Sequence, residues 1–112
     1  MEIKWFIQRG RRGWADNDVW ALNDYLSGWL PDAIEHLKKN KHGCPAEYFD
    51  NDAPDGKHCK RFDDEVLDVI IDGMKAANLI SNCETPQQVE ALQSRFERGM
   101  DALKKGWWGL WD

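Results

Sequence analysis

Residues 14–43, WADNDVWALNDYLSGWLPDAIEHLKKNKHG, form the longest helical pattern in the chain and carry three of its seven tryptophans. At about 100° per residue, Val19, Leu22, Leu26, Trp29, Leu30, Ala33 and Leu37 fall in one stripe. That stripe predicts the core face of a first helix over 16–42. Asp16 suits an N-cap, because its short side chain can accept from free N–H groups of the first turn. Asp18 adds negative charge where the helix dipole favours it. Lys38, Lys39 and Lys41 place cations in the last turn, and Gly43 suits the residue just past the end. Pro31 interrupts the pattern. It has no N–H to donate, and its ring crowds the carbonyl of Ser27. One kinked helix and two helices starting afresh at Pro31 are both open. The stripe keeps its phase across Pro31, which favours the single kinked helix.

Two further helices are expected around this one. In 62–81, Phe62, Val66, Val69, Ile70, Met74, Ala77 and Ile80 cover one broad side, widened by Leu67 and Ile71. So wide an apolar face implies more than one neighbour and a central position. Gly73 lies inside that face. It weakens a helix by about 1 kcal/mol relative to alanine, and the expected return is close approach of another helix. Thr85, Pro86 and Gln88 form a capping-box start for a third helix over 85–111. Its stripe runs Val89, Leu92, Phe96, Met100, Leu103 and Trp107, in phase to Leu110 and Trp111. The tail KKGWWGLWD allows Trp107 and Trp111 to close the core, with Trp108 exposed as an interface. The expected fold is all-α, a small three-helix bundle in one domain.

Ahead of the bundle, Met1, Ile3, Trp5 and Ile7 alternate with Glu2, Lys4, Phe6 and Gln8, which reads as a short extended arm over 1–14. Arg9, Arg11 and Arg12 beside Trp14 could grip a phosphate while a ring stacks on a base. The plainer reading is a solvated turn whose arginines offset Asp16 and Asp18. Trp20 and Tyr25 lie off the stripe of the first helix. Both are large enough to need a cover from another element or a partner. Arg9, Arg11, Arg12, Trp14, Trp20 and Tyr25 are therefore the candidate ligand-binding residues, and Trp108 the candidate interface residue.

Residues 43–61 read as an irregular loop rich in turn residues. His42, Cys44, His58 and Cys59 are zinc-type ligands, but adjacent His-Cys chelates poorly and no Cys-x-x-Cys occurs. Asp50, Asp52 and Asp55 lack the ligand order and closing glutamate of a calcium loop. No metal or other cofactor is implied. Three cysteines without framework spacing suggest reduced thiols in a reducing cytoplasm. Asp63, Asp64 and Glu65 are explained by an acidic first turn before any acid–base role, which needs a desolvated pair. No nucleophile–base set or phosphate-binding glycine loop is present, so no catalytic residue is assigned.

A 112-residue chain of this composition can bury roughly 65% of its unfolded surface without staples. A net charge of −5 does not suit a protein that coats nucleic acid. No run approaches membrane-spanning length, and MEIKWFIQRGRR is not a signal-peptide pattern.

The pieces RGWADNDVWALNDYL (12–26), HGCP (42–45) and ERGMDALKKGWWGLWD (97–112), with the acidic DDEVLDVIIDGM helix between, resemble a family of small uncharacterised proteins of tailed bacteriophages. The resemblance implies a phage gene product in the cytoplasm of a bacterial host. Two functions follow as expectations. One is a non-enzymatic counter-defence protein that binds a nucleotide immune signal or a host protein. The other is a homo-oligomeric interaction module with no small-molecule ligand.

Overall fold

The computed structural model describes residues 3–48 and 59–111, and these form four helices, not three. Helix α1 is Ile3–Arg12. A 3₁₀ segment, Asp16–Ala21, leads into α2, Leu22–Asn40. A short 3₁₀ turn follows at Ala46–Tyr48. Helix α3 is one rod in three consecutive pieces: α-helical Lys60–Phe62, a π-helical stretch Asp63–Leu67, and α-helical Asp68–Leu79. Helix α4 is Pro86–Gly106, closed by a 3₁₀ turn at Trp107–Gly109. No strand occurs among the described residues.

The extended arm is thus corrected: Ile3–Arg12 is helical. The alternation is broken at Phe6, which together with Ile3 and Ile7 falls at helical spacing. A lone strand has no partner for its backbone, whereas a helix satisfies its own. Gly13 ends α1 at φ 86°, and its N–H donates to the Arg9 carbonyl at 2.9 Å. A left-handed residue just past a helix end is where glycine is favoured. The first turn expected at Asp16 is 3₁₀, so α2 begins only at Leu22.

Helices α2 and α4 flank α3, each antiparallel to it. Along α2 the pairs are Ser27 with Asn78, Lys38 with Asp68 (2.8 Å) and Lys41 with Asp63 (2.7 Å). Along α4 the backbones of Gly73 and Gly99 meet, and Gly106 lies on Val66. The central position read for α3 is what the packing shows. Phe62, Val66, Leu67, Ile70, Ile71 and Met74 are buried, joined by Ile34 from α2 and Ala102 from α4. The π stretch places the adjacent Val66 and Leu67 both inside.

With α2 and α4 on opposite sides of one rod, the molecule is a slab of 49 × 41 × 18 Å. Its radius of gyration is 16.4 Å, against about 13 Å for a compact chain near this length.

Helix α2 runs unbroken through the buried Pro31. Pro31 deprives the Ser27 carbonyl of its helical donor. Asn78 Nδ2 of α3 supplies the replacement at 2.9 Å, and Ser27 Oγ donates to Asn78 Oδ1 at 2.8 Å. This exchange closes the hydrogen-bond account at the proline. Asn78→Ala is therefore expected to cost about 1–3 kcal/mol, the range for orphaned buried polar groups. The check is urea denaturation, in which Asn78→Ala paired with Pro31→Ala should lose less than Asn78→Ala alone.

The face of α2 also differs from the stripe. Ser27, Pro31 and Ile34 are buried and Leu30 and Leu37 partly so, whereas Leu22, Leu26, Trp29 and Ala33 are exposed, as is Val19 before the helix. The contact line is rotated by about a quarter-turn, because one neighbour covers only one line of a helix.

At the C-terminus the expected core role of Trp107 and Trp111 is overturned, since both are more than half exposed. The glycines face inward instead. Gly106 packs on Val66 and Phe62, and Gly109 on Pro45 and Phe62. Leu110 joins the core edge. The helix expected to reach 111 ends at Gly106.

Candidate functional site

The candidate binding residues divide into a clasp and two outliers. One side of α1 is polar and faces the Asp16–Ala21 segment. Arg9 Nε donates to Asp18 Oδ2 at 2.9 Å, and its Nη2 pairs with Asp18 Oδ1. Arg12 pairs with Asp16 and donates from Nε to the Trp14 carbonyl at 2.9 Å. Gln8 exchanges two hydrogen bonds with Asp16, at the side chain (2.9 Å) and the backbone N–H (2.7 Å). The Ala15 N–H donates to Asp18 at 2.7 Å. The hydrogen bond from Arg9 holds the Asp18 carboxyl below its usual range, helped by the Ala15 N–H, and Asp18 in turn raises Arg9. Gln8, then Arg12, lowers Asp16.

Aromatic rings complete the clasp. The Arg12 guanidinium lies 3.8 Å from the Trp14 ring centroid, a cation–π stack. The Arg9 guanidinium lies 5.7 Å from the Tyr25 ring, and the Tyr25 hydroxyl donates to the Gly13 carbonyl at 2.5 Å. Arg9, Arg12, Trp14 and Tyr25 are therefore together, but as internal scaffolding. A phosphate here would compete with two carboxylates already in bidentate or short contact. The plainer sequence reading, arginines offsetting Asp16 and Asp18, describes Arg9 and Arg12. Arg11 and Trp20 stand apart from the clasp: Arg11 has no ion pair among the described residues, and Trp20 is 92% exposed.

The metal reading changes with the cysteines. Cys44 and Cys59 are bonded to each other, their Cα atoms 6.2 Å apart, and both are buried. Only Cys83 is a free thiol. The expectation of three reduced thiols is corrected, and a bonded pair offers no thiolate to zinc. His58, Asp50, Asp52 and Asp55 lie outside the described residues. Among the described residues no cluster of three His, Cys, Asp or Glu side chains could hold a metal ion. Of the acidic trio, Asp63 is committed to Lys41 and Glu65 faces Arg61 at 3.6 Å.

Sequence reasoning missed a groove. Between α2 and α4, floored by α3, lies an open apolar trough of about 540 Å³, lined by Leu26, Leu30, Met74, Phe96, Met100 and Leu103 among others. Asp24 and Gln93 lie at its margins, and Gln93 is hydrogen-bonded to Glu97 at 3.3 Å. The signal for it was the apolar stripe of α2, which is wider than a helix with one neighbour needs. No helix among the described residues is long and apolar enough to cross a membrane. Fold and surface define an all-α slab with large apolar side chains on its exterior. Comparisons with family models, with curated proteins and with solved structures find no match for this chain.

Proposed function

We propose that this protein is a non-catalytic interaction module that assembles with further copies of itself. The observation that carries this reading is the amount of large apolar surface facing water. Ile3 is 76%, Phe6 70%, Trp20 92% and Trp108 87% exposed, while monomers rarely leave contiguous apolar patches uncovered. Trp108, the interface residue expected from sequence, is one of these exposed side chains. A bend of α2 at Pro31 would suit the role, by angling the Asn23–Leu30 half away from α4. Light scattering over a dilution series is expected to show a mass at a multiple of 13.0 kDa. A single 13.0 kDa species at every concentration would sink the reading.

The second reading is a counter-defence binder of a host protein or nucleotide immune signal, within the cytoplasm of a phage-infected bacterium. It rests on the likeness to small phage proteins and on Arg11 and the exposed Trp20, which the clasp leaves uncommitted. Calorimetry with cyclic and ADP-ribose-type nucleotides separates the two. Binding that weakens with Arg11→Ala or Trp14→Ala supports a nucleotide site, and flat titrations remove it.

A further inference from the structure

Helix α1 is fastened the wrong way round for a surface helix. Its polar side, Gln8, Arg9 and Arg12, is tied to Asp16 and Asp18 of the body. Its apolar side, Ile3, Phe6 and Ile7, is turned to water and at least half exposed. In an ordinary amphipathic helix the apolar stripe faces the core. Here it has nothing of its own chain to face among the described residues. The molecule also carries an open apolar trough. Along α4 the trough runs from Gln93 to Leu103, about 15 Å at 1.5 Å per residue, and the 10-residue α1 has that same length.

Charge distinguishes the occupants. Helix α1 holds four of the chain's fifteen basic residues and none of its twenty acidic ones, so the remainder is strongly acidic. Arg9 and Arg12 are used by the clasp. Lys4 is held over the Trp5 ring, 4.9 Å from its centroid, which leaves Arg11 at one edge of the apolar stripe of α1. At the trough, Asp24 lines the α2 side, and the α4 side is lined by Gln93, whose amide donates to Glu97. An apolar stripe with a basic edge, on a helix that carries no acidic residue, thus has a counterpart in an apolar trough with Asp24 on its α2 side.

Resting on the self-association reading, we propose that α1 of one copy docks by its Ile3–Phe6–Ile7 face into the α2–α4 trough of a second copy, and reciprocally. The contact is made twice about a two-fold axis, as closed dimers require. Helix α1 hangs from the residues just before α2, and the first turns of α2 line the trough, so both halves lie at one end of the slab. The clasp stays intact and orients α1 for its partner, which reduces the ordering cost of association.

The test is sedimentation velocity on the full chain, with helicity of each variant checked by circular dichroism. The wild type is expected to be a dimer. Phe6→Glu, on α1, and Leu26→Glu, in the trough, should each weaken it at least about a hundredfold, since each change acts at both copies of the contact. Mixing the two variants should restore association to within about tenfold of a single intact contact. In the mixture, α1 of the Leu26→Glu chain meets the trough of the Phe6→Glu chain. A wild-type dimer that survives both substitutions overturns the α1–trough pairing and leaves self-association standing. Monomeric variants that do not recover on mixing also overturn the pairing. A monomeric wild type overturns both, and if that monomer binds anionic vesicles through Phe6, the stripe belongs to a lipid surface instead.

Discussion

Gly73→Ala is expected to destabilise the fold by about 1–2 kcal/mol, although alanine is the better helix former. A Cβ on Gly73 would stand 2.6 Å from the Gly99 Cα and 3.1 Å from the Arg95 carbonyl oxygen. Both are backbone atoms, so no side chain can swing aside. Helices α3 and α4 would have to separate, loosening the Arg95–Asp72 pair at 2.7 Å and the seat of Gly106 on Val66. Overpacking of this kind costs roughly 1–3 kcal/mol, and more where backbone must move. The propensity gain of about 1 kcal/mol offsets only part of it. Gly99→Ala should behave alike, because its Cβ would meet the Gly73 Cα at 2.7 Å. Gly28→Ala is the control. It sits in α2 with nothing within 4 Å of its added Cβ, so it should stabilise by about 0.5–1 kcal/mol. Urea titrations of the three variants decide the matter. A Gly73→Ala midpoint at or above wild type would mean that the two helices are not in backbone contact.

The Gly73 contact illustrates what was legible in the chain. A glycine inside the broad apolar face of 62–81 carries an intrinsic cost, and that cost pointed to a close neighbour; its partner Gly99 carried no such flag. The start of α4 was equally readable. Thr85 Oγ1 accepts from the Gln88 N–H at 3.2 Å, and Gln88 Oε1 accepts from the Thr85 N–H at 3.3 Å. Cap chemistry is local, and so are the Arg9–Asp18 and Arg12–Asp16 pairs, which lie within one turn or one short reversal of each other in sequence. What failed depended on neighbours that periodicity does not count. The stripe of α2 marks its apolar side but not which part a single flanking helix covers. The WWGLW tail suggested buried rings, because rings bury most area. In the slab, close seating on Phe62 and Pro45 required glycines, and the rings were left outside. For α1, the apolar positions fit a strand and a helix equally well over so few residues, and the cap at Gly13 decided for the helix. The trough was legible only as surplus width in the stripe of α2, since a space between two helices is set by how both pack on a third.

Breaking the Cys44–Cys59 bond is expected to cost about 3 kcal/mol, the size of effect for a loop of roughly 15 residues. The two cysteines are 15 positions apart. The bond closes the segment between α2 and α3, and its surroundings show where the loss would be felt. Cys44 and Cys59 belong to the same buried cluster as Tyr48 and Phe62, whose rings lie 5.1 Å apart. Phe62 and the neighbouring Pro45 form the seat of Gly109. Lys41, its side chain almost wholly covered, pairs with Asp63 across the same junction. Freed cysteines would widen this end first, while the Ser27–Asn78 exchange and the Gly73–Gly99 contact lie further along α3 and should persist. Reductant should therefore lower the melting temperature by roughly 10 °C, at about 4 °C per kcal/mol for a domain of this size. The Cys44→Ala/Cys59→Ala double variant should melt near the reduced protein and ignore reductant. In denaturant without reductant, one thiol, Cys83, should react, and after reduction all three. Three reactive thiols before reduction, with a melting temperature indifferent to reductant, would remove the bond. The bond also bears on where the protein works. In a reducing cytoplasm the pair would tend to open, and the α2–α3 end would be held by Lys41–Asp63 and the Phe62 cluster alone. The part of the trough around Leu26 and Phe96, near the start of α2, lies away from that end. Reduction should then soften the base of the slab without dissociating the dimer, a separation that sedimentation with and without reductant reads directly.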